Sequence, residues 1–138
     1  AMTHPASLHP AATSQGRTLV NLTPHPVVLR RNGIDVTIPP NGTVCRVAST
    51  PGVLVDDTGP VPIYGSPEWG DVEGLPPPHA STVYIVSGLV AGRVDRRDVV
   101  SPGTGPADGA IRDTDGRIVA VTRLISAASV AVPLFPVK

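Results

Sequence analysis

A chain of 138 residues with 41% hydrophobic but only 3% aromatic residues can build one domain, and its modest core must come from Val, Ile, Leu and Ala rather than rings. Its 17 prolines and 14 glycines exclude a helical protein, because neither residue is tolerated in helix interiors at that density. Eleven basic and 11 acidic residues give a formal net charge of zero, which argues against a protein whose main task is neutralising a nucleic-acid backbone.

Cys45 is the only cysteine, so neither an internal disulfide nor a cysteine-based metal framework is expected, and a reducing cytoplasm fits. No apolar run approaches the ~20 residues that span a bilayer, so no membrane partner is expected. The first residues lack a basic region followed by an apolar stretch, so no secretory signal is read there.

Residues 2–16 hold His4-Pro5 and His9-Pro10 among Ala, Thr and Ser, without periodicity. They read as a flexible tail, residues 1–16, or as an arm that packs on a neighbouring subunit. Strands are expected at 18–23, 26–31, 34–38, 43–48, 52–55, 61–64, 82–87, 97–101, 109–113 and 117–125, with a further one at 128–132. Three turn signals join them: Asn32-Gly33, Asp57-Thr58-Gly59 and Asp115-Gly116. Asn-Gly and Asp-Gly supply the positive φ that a tight hairpin needs.

Residues 65–79 read as a long loop carrying Trp69, the only Trp. Ser87 is a fitting N-cap for one short helix over 87–94, with Leu89, Val90 and Val94 on one face, placed to plug the mouth of a small barrel. Residues 117–125 are apolar on both alternations except at Thr122 and Arg123, as in a strand covered on both faces. Residues 126–138 contain Pro133 and Pro136 and read as an edge strand or strap. The whole is therefore an all-β, single-domain antiparallel small barrel or sandwich with one short helix, its β domain spanning 17–125.

The residues that could carry chemistry lie mostly in loops. His25 stands between Pro24 and Pro26, which hold it extended; it is either a rigidly aimed imidazole or part of a structural kink. Trp69 covers a core edge or walls a ligand site. The Gly-rich run 101–109 matches no nucleotide-binding fingerprint, yet its backbone could nest an anion, with Arg97 and Arg112 at its two ends. In the cluster Asp95-Arg96-Arg97-Asp98, an Arg–Asp pair is expected to lock the helix end to the next strand. Cys45 alternates with Arg46 in a strand and reads as a buried small hydrophobe. The histidines lack ligand spacing and the Asp pairs read as turn residues, so no metal and no cofactor is expected.

Six blocks appear in order: Asn-Leu-Thr-Pro-His (21–25), Ile-Pro-Pro-Asn-Gly (38–42), Gly-Leu-Pro-Pro-Pro (74–78), Tyr-Ile-Val-Ser-Gly-Leu-Val-Ala (84–91), Arg-Arg-Asp-Val-Val-Ser-Pro-Gly (96–103) and Ile-Arg-Asp-Thr-Asp-Gly-Arg-Ile (111–118). With them the chain resembles a family of small uncharacterised proteins of bacterial and bacteriophage genomes. The resemblance covers roughly 18–125, implies an intracellular protein linked to a mobile element, and brings no activity or site residues with it.

Three functions follow. The first is a non-catalytic binding module for a small anionic ligand, such as a nucleotide, or for a protein partner, at a face made by His25, Trp69, Arg97, Asp98 and Arg112. The second is a structural subunit of a phage-like or other multimeric particle, and hence a homo-oligomer. The third is a small enzyme with His25 and Asp98 as acid/base partners.

Overall fold

The computed structural model describes residues 11–14 and 17–129. In chain order its strands are β1 (Ala11–Ser14), β2 (Arg17–Asn21), β3 (Val27–Arg31), β4 (Ile34–Ile38), β5 (Arg46–Thr50), β6 (Leu54–Asp56), β7 (Ile63–Tyr64) and β8 (Glu68–Glu73). There follow β9 (Thr82–Ile85), the helix α1 (Gly88–Ala91), β10 (Val99–Pro102), β11 (Ile111–Arg112), β12 (Ile118–Ala120) and β13 (Leu124–Ser126). The all-β expectation holds, and the sheets are small and not closed into a barrel.

All three turn signals make hairpins. Arg31 faces Ile34 across Asn32 and Gly33, whose φ values of 53° and 75° are those the tight turn demands. The second signal joins β6 to β7, and the third joins β11 to β12.

The main sheet runs β1-β2-β9-β10-β13, and it corrects the antiparallel expectation. β2 pairs β9 in parallel, with Thr18 opposite Thr82 and Asn21 opposite Ile85. β9 pairs β10 in parallel as well, and only the outer pairs are antiparallel. Parallel neighbours need a crossover, and residues 86–98 supply one. The helix belongs to that crossover and does not plug a barrel mouth. Ser87 caps it as expected, its Oγ accepting from the Val90 amide at 3.3 Å, but the helix ends at Ala91 before Gly92. Val90 is buried and Leu89 is exposed, so Leu89 is not on its packed face.

β9 is the strand covered on both faces, every residue of it being buried. Tyr84 and Val86 point into one apolar cluster with Leu22, Cys45, Val90 and Val99. Val83 and Ile85 point into the other with Val27, Ile38, Val100 and Val121. That alternation is the period-two geometry of a strand dividing two layers. Burial pushes the Cys45 thiol up, against a weaker downward pull from Arg96, so the buried-hydrophobe reading of Cys45 fits, with Arg46 exposed beside it.

Other expectations are corrected. Residues 117–125 are two strands. The chain turns at Thr122, whose hydroxyl donates to the Asp108 carbonyl at 3.0 Å, and at Arg123, whose carbonyl accepts from the Gly103 amide at 2.9 Å. The loop expected at 65–79 contains β8, paired with β5 through Arg46 opposite Glu73 and Ser49 opposite Trp69. Part of the supposed tail is strand β1, with Ala11 opposite Val20. β13 lies at the sheet edge; Ala128 and Ser129 are not strand, and the rest of the strand expected at 128–132 lies outside the described residues.

Candidate interaction surface

The five residues singled out in the sequence are held by separate local structures. Asn21 is fully buried and organises the turn that bears His25. Its Nδ2 donates to the carbonyls of His25 (2.8 Å) and Ile38 (2.9 Å), while its Oδ1 accepts from the Thr23 amide (2.9 Å) and hydroxyl (2.7 Å). The kink is thus built by the asparagine, and His25 contributes its backbone carbonyl while the residue stays exposed. Trp69 is 41% exposed on β8, with the Arg93 guanidinium 4.9 Å from its ring centre.

The lock at the end of the crossover uses Arg96 rather than Arg97. Arg96 donates twice to the Asp98 carboxylate, at 2.9 and 2.6 Å, and once to the Pro76 carbonyl at 2.9 Å. It therefore ties the 74–79 segment to β10, and its guanidinium lies 6.0 Å from the Tyr84 ring centre. Arg97 is exposed. In the Gly-rich loop, the Gly105 amide donates to the chain's own Asp108 carboxylate at 2.8 Å, so a resident anion already sits there. Arg112 donates to the Gly116 carbonyl at 2.7 Å within its own hairpin.

A different feature dominates the surface. The β6–β7 hairpin exposes Val53 (78%), Leu54 (50%), Val55 (65%), Val61 (68%), Ile63 (55%) and Tyr64 (59%). Successive strand residues point to opposite faces, so Leu54 and Val55, neighbours in β6, put exposed apolar side chains on both faces of this ribbon. A hairpin that covered its own core would hide one face. These side chains offer on the order of 600 Å² of apolar surface, at the upper end of the patches that monomers carry.

Residues 52–65, the β6–β7 hairpin and its flanks, form an arm anchored at its base. The Gly65 amide donates to the Val53 carbonyl at 2.8 Å, and a Cβ on Gly52 would collide with the Gly65 carbonyl. Its tip is acidic, carrying Asp56 and Asp57. The Thr58 hydroxyl (2.7 Å) and amide (3.0 Å) donate to Asp56 and hold its carboxyl below the usual range, so it stays charged. The signal in the sequence is the unalternated run Val53-Leu54-Val55, which is compatible with a fully buried strand as much as with a bare one.

Concavities among the described residues include three away from the arm. One, ≈ 480 Å³, lies between the β3–β4 hairpin and residues 121–124, with an apolar floor including Leu29, Val36 and Val121, and Arg30, Arg31 and Arg123 along it. A second, ≈ 590 Å³, lies between the end of the helix and residues 125–129, and a third, ≈ 300 Å³, beside Cys45. None of the three is lined by His25, Trp69, Arg97, Asp98 or Arg112. Among the described residues, no three His, Cys, Asp or Glu side chains come together as metal ligands, and no helix is long and apolar enough to cross a membrane. Comparison of the chain with protein-family models, curated proteins and solved structures finds no match.

Proposed function

We propose that this protein is a non-catalytic binding protein whose partner is protein: a subunit of a multimeric particle that assembles through the 52–65 arm. The observation that carries this reading is the ribbon with exposed apolar side chains on both faces. Such a ribbon gains most from insertion into a partner, where both faces leave water together. A standard interface takes roughly 800 Å² from each partner, and the arm alone supplies most of that.

A nucleotide or other small anion is less well served. The residues expected to hold it share none of the three concavities, and the amide of Gly105 is taken by Asp108. Acid/base chemistry by His25 and Asp98 is likewise less well served, since Asp98 is engaged by Arg96 through both oxygens.

Sedimentation velocity tests the proposal. Wild type is expected to form a defined oligomer whose population rises with concentration, and a Val53→Ser/Val55→Ser/Ile63→Ser variant is expected to remain monomeric. All three positions are solvent-facing, so the variant should keep its fold. Wild type that stays monomeric from ~1 μM to ~1 mM would overturn it.

A further inference from the structure

The same chain carries an open apolar groove lined by arginines, opposite in charge to the acidic tip of the arm. The groove between the β3–β4 hairpin and residues 121–124 is apolar in its floor and open to solvent, with Ile34 and Val36 of β4 exposed at 67% and 47%. Its side chains include three arginines. Arg30 is paired with Asp35 at 2.6 Å, Arg123 faces Asp108 loosely at 3.9 Å, and Arg31 is exposed. Two carboxylates against three guanidinium groups leave the groove positive. The arm has the converse character, an apolar shaft with Asp56 and Asp57 at its tip.

Resting on the assembly reading above, we infer that the arm of one copy seats in the β3–β4 groove of the next. The shaft covers Ile34, Val36 and the part of Leu29 left open, and the acidic tip meets Arg31 and Arg123. The exposure of the arm shows that it does not fill its own chain's groove. Donor and receptor are different surfaces, so every copy carries one of each. The contact is head-to-tail, and it closes into a ring or continues as a filament according to the rotation between neighbours. Opposite charge at the two surfaces also sets the direction in which the arm lies along the groove, because the reversed lie would put the acidic tip against apolar side chains.

A mixing experiment separates this from any other mode of assembly. The arm variant is Val55→Ser/Ile63→Ser and the groove variant is Ile34→Glu/Val36→Glu, both at solvent-facing positions. In sedimentation velocity each variant alone is expected to be monomeric. Their equimolar mixture is expected to give a 1:1 dimer and nothing larger, since one intact arm and one intact groove remain. As a second measure, Asp57→Arg and Arg31→Glu are each expected to weaken association at least tenfold, and the chain carrying both is expected to recover most of it. If wild type assembles and the groove variant assembles equally well, or the mixture stays monomeric, the groove is not the receptor while the arm reading stands. If wild type itself is monomeric throughout, both fall.

Discussion

Replacing Asn21 with Ala removes four hydrogen bonds at once. The Ile38 carbonyl, in a residue with no solvent exposure, loses its amide partner, and an unpaired buried acceptor costs about 1–3 kcal/mol. The Thr23 amide and the His25 carbonyl are nearer the surface, where water can replace the lost partner, so each contributes about 0.5–1 kcal/mol, and the Thr23 hydroxyl keeps the His25 carbonyl as an acceptor at 3.0 Å. The total is about 2–5 kcal/mol, a large part of the ~5–15 kcal/mol available to a domain. Urea unfolding followed by circular dichroism reads it directly. With a slope near ~1.5 kcal/mol/M, the midpoint should fall by roughly 1–3 M. Asn21→Asp sharpens the test. At neutral pH its carboxylate would face the carbonyls of His25 and Ile38, so its folded-state pKa must be raised. A raised folded pKa means stability present at low pH and lost as pH rises. The Asp variant should therefore approach wild type as the pH falls through the carboxylate range, while the Ala variant should show no such relief. A loss below about 1 kcal/mol for Asn21→Ala, or a pH-independent deficit for Asn21→Asp, would refute the reasoning.

Arg96→Ala should cost about 2–3 kcal/mol by leaving the half-buried Asp98 unpaired and freeing the Pro76 carbonyl, whereas Arg97→Ala should cost about 0–1 kcal/mol; thermal unfolding of the two variants ranks them. Gly52→Ala should loosen the arm base, because its Cβ meets the Gly65 carbonyl. Faster amide exchange at Gly65 with an unchanged rate at Tyr84 is the expected outcome. The Asp95 carboxyl is held below its usual value by the Ser129 amide and hydroxyl. That tie is present above the ordinary Asp pKa of about 3.9 and is lost as pH falls through the lower folded-state value. Protection of the Ser129 amide near neutral pH should thus disappear in strong acid, and protection that persists there would assign the contact to packing instead.

The parts of this protein legible in its sequence are those whose physics is local. Asn32-Gly33 announces its hairpin because positive φ is a property of two residues, and Ser87 announces a helix start because its hydroxyl reaches an amide only three positions on. The mixed sheet is not local: Thr18 meets Thr82 and Val99 meets Tyr84 in parallel, and nothing in either strand records which neighbour will arrive. β8 was hidden for a related reason. Glu68-Trp69-Gly70-Asp71 has little strand propensity of its own and is held extended by β5.

The candidate site shows the same division. Two adjacent arginines, 96 and 97, are indistinguishable by type, and the course of the crossover decides which one reaches Asp98. The Gly-rich loop advertised room for an anion, but the turn at 122–123 and the fold of 105–108 place the chain's own Asp108 against it. Val53-Leu54-Val55 reads as strand in either setting; only the tertiary structure leaves apolar side chains exposed on both of its faces, because burial depends on what is brought over a strand, and these three stay 50–78% exposed.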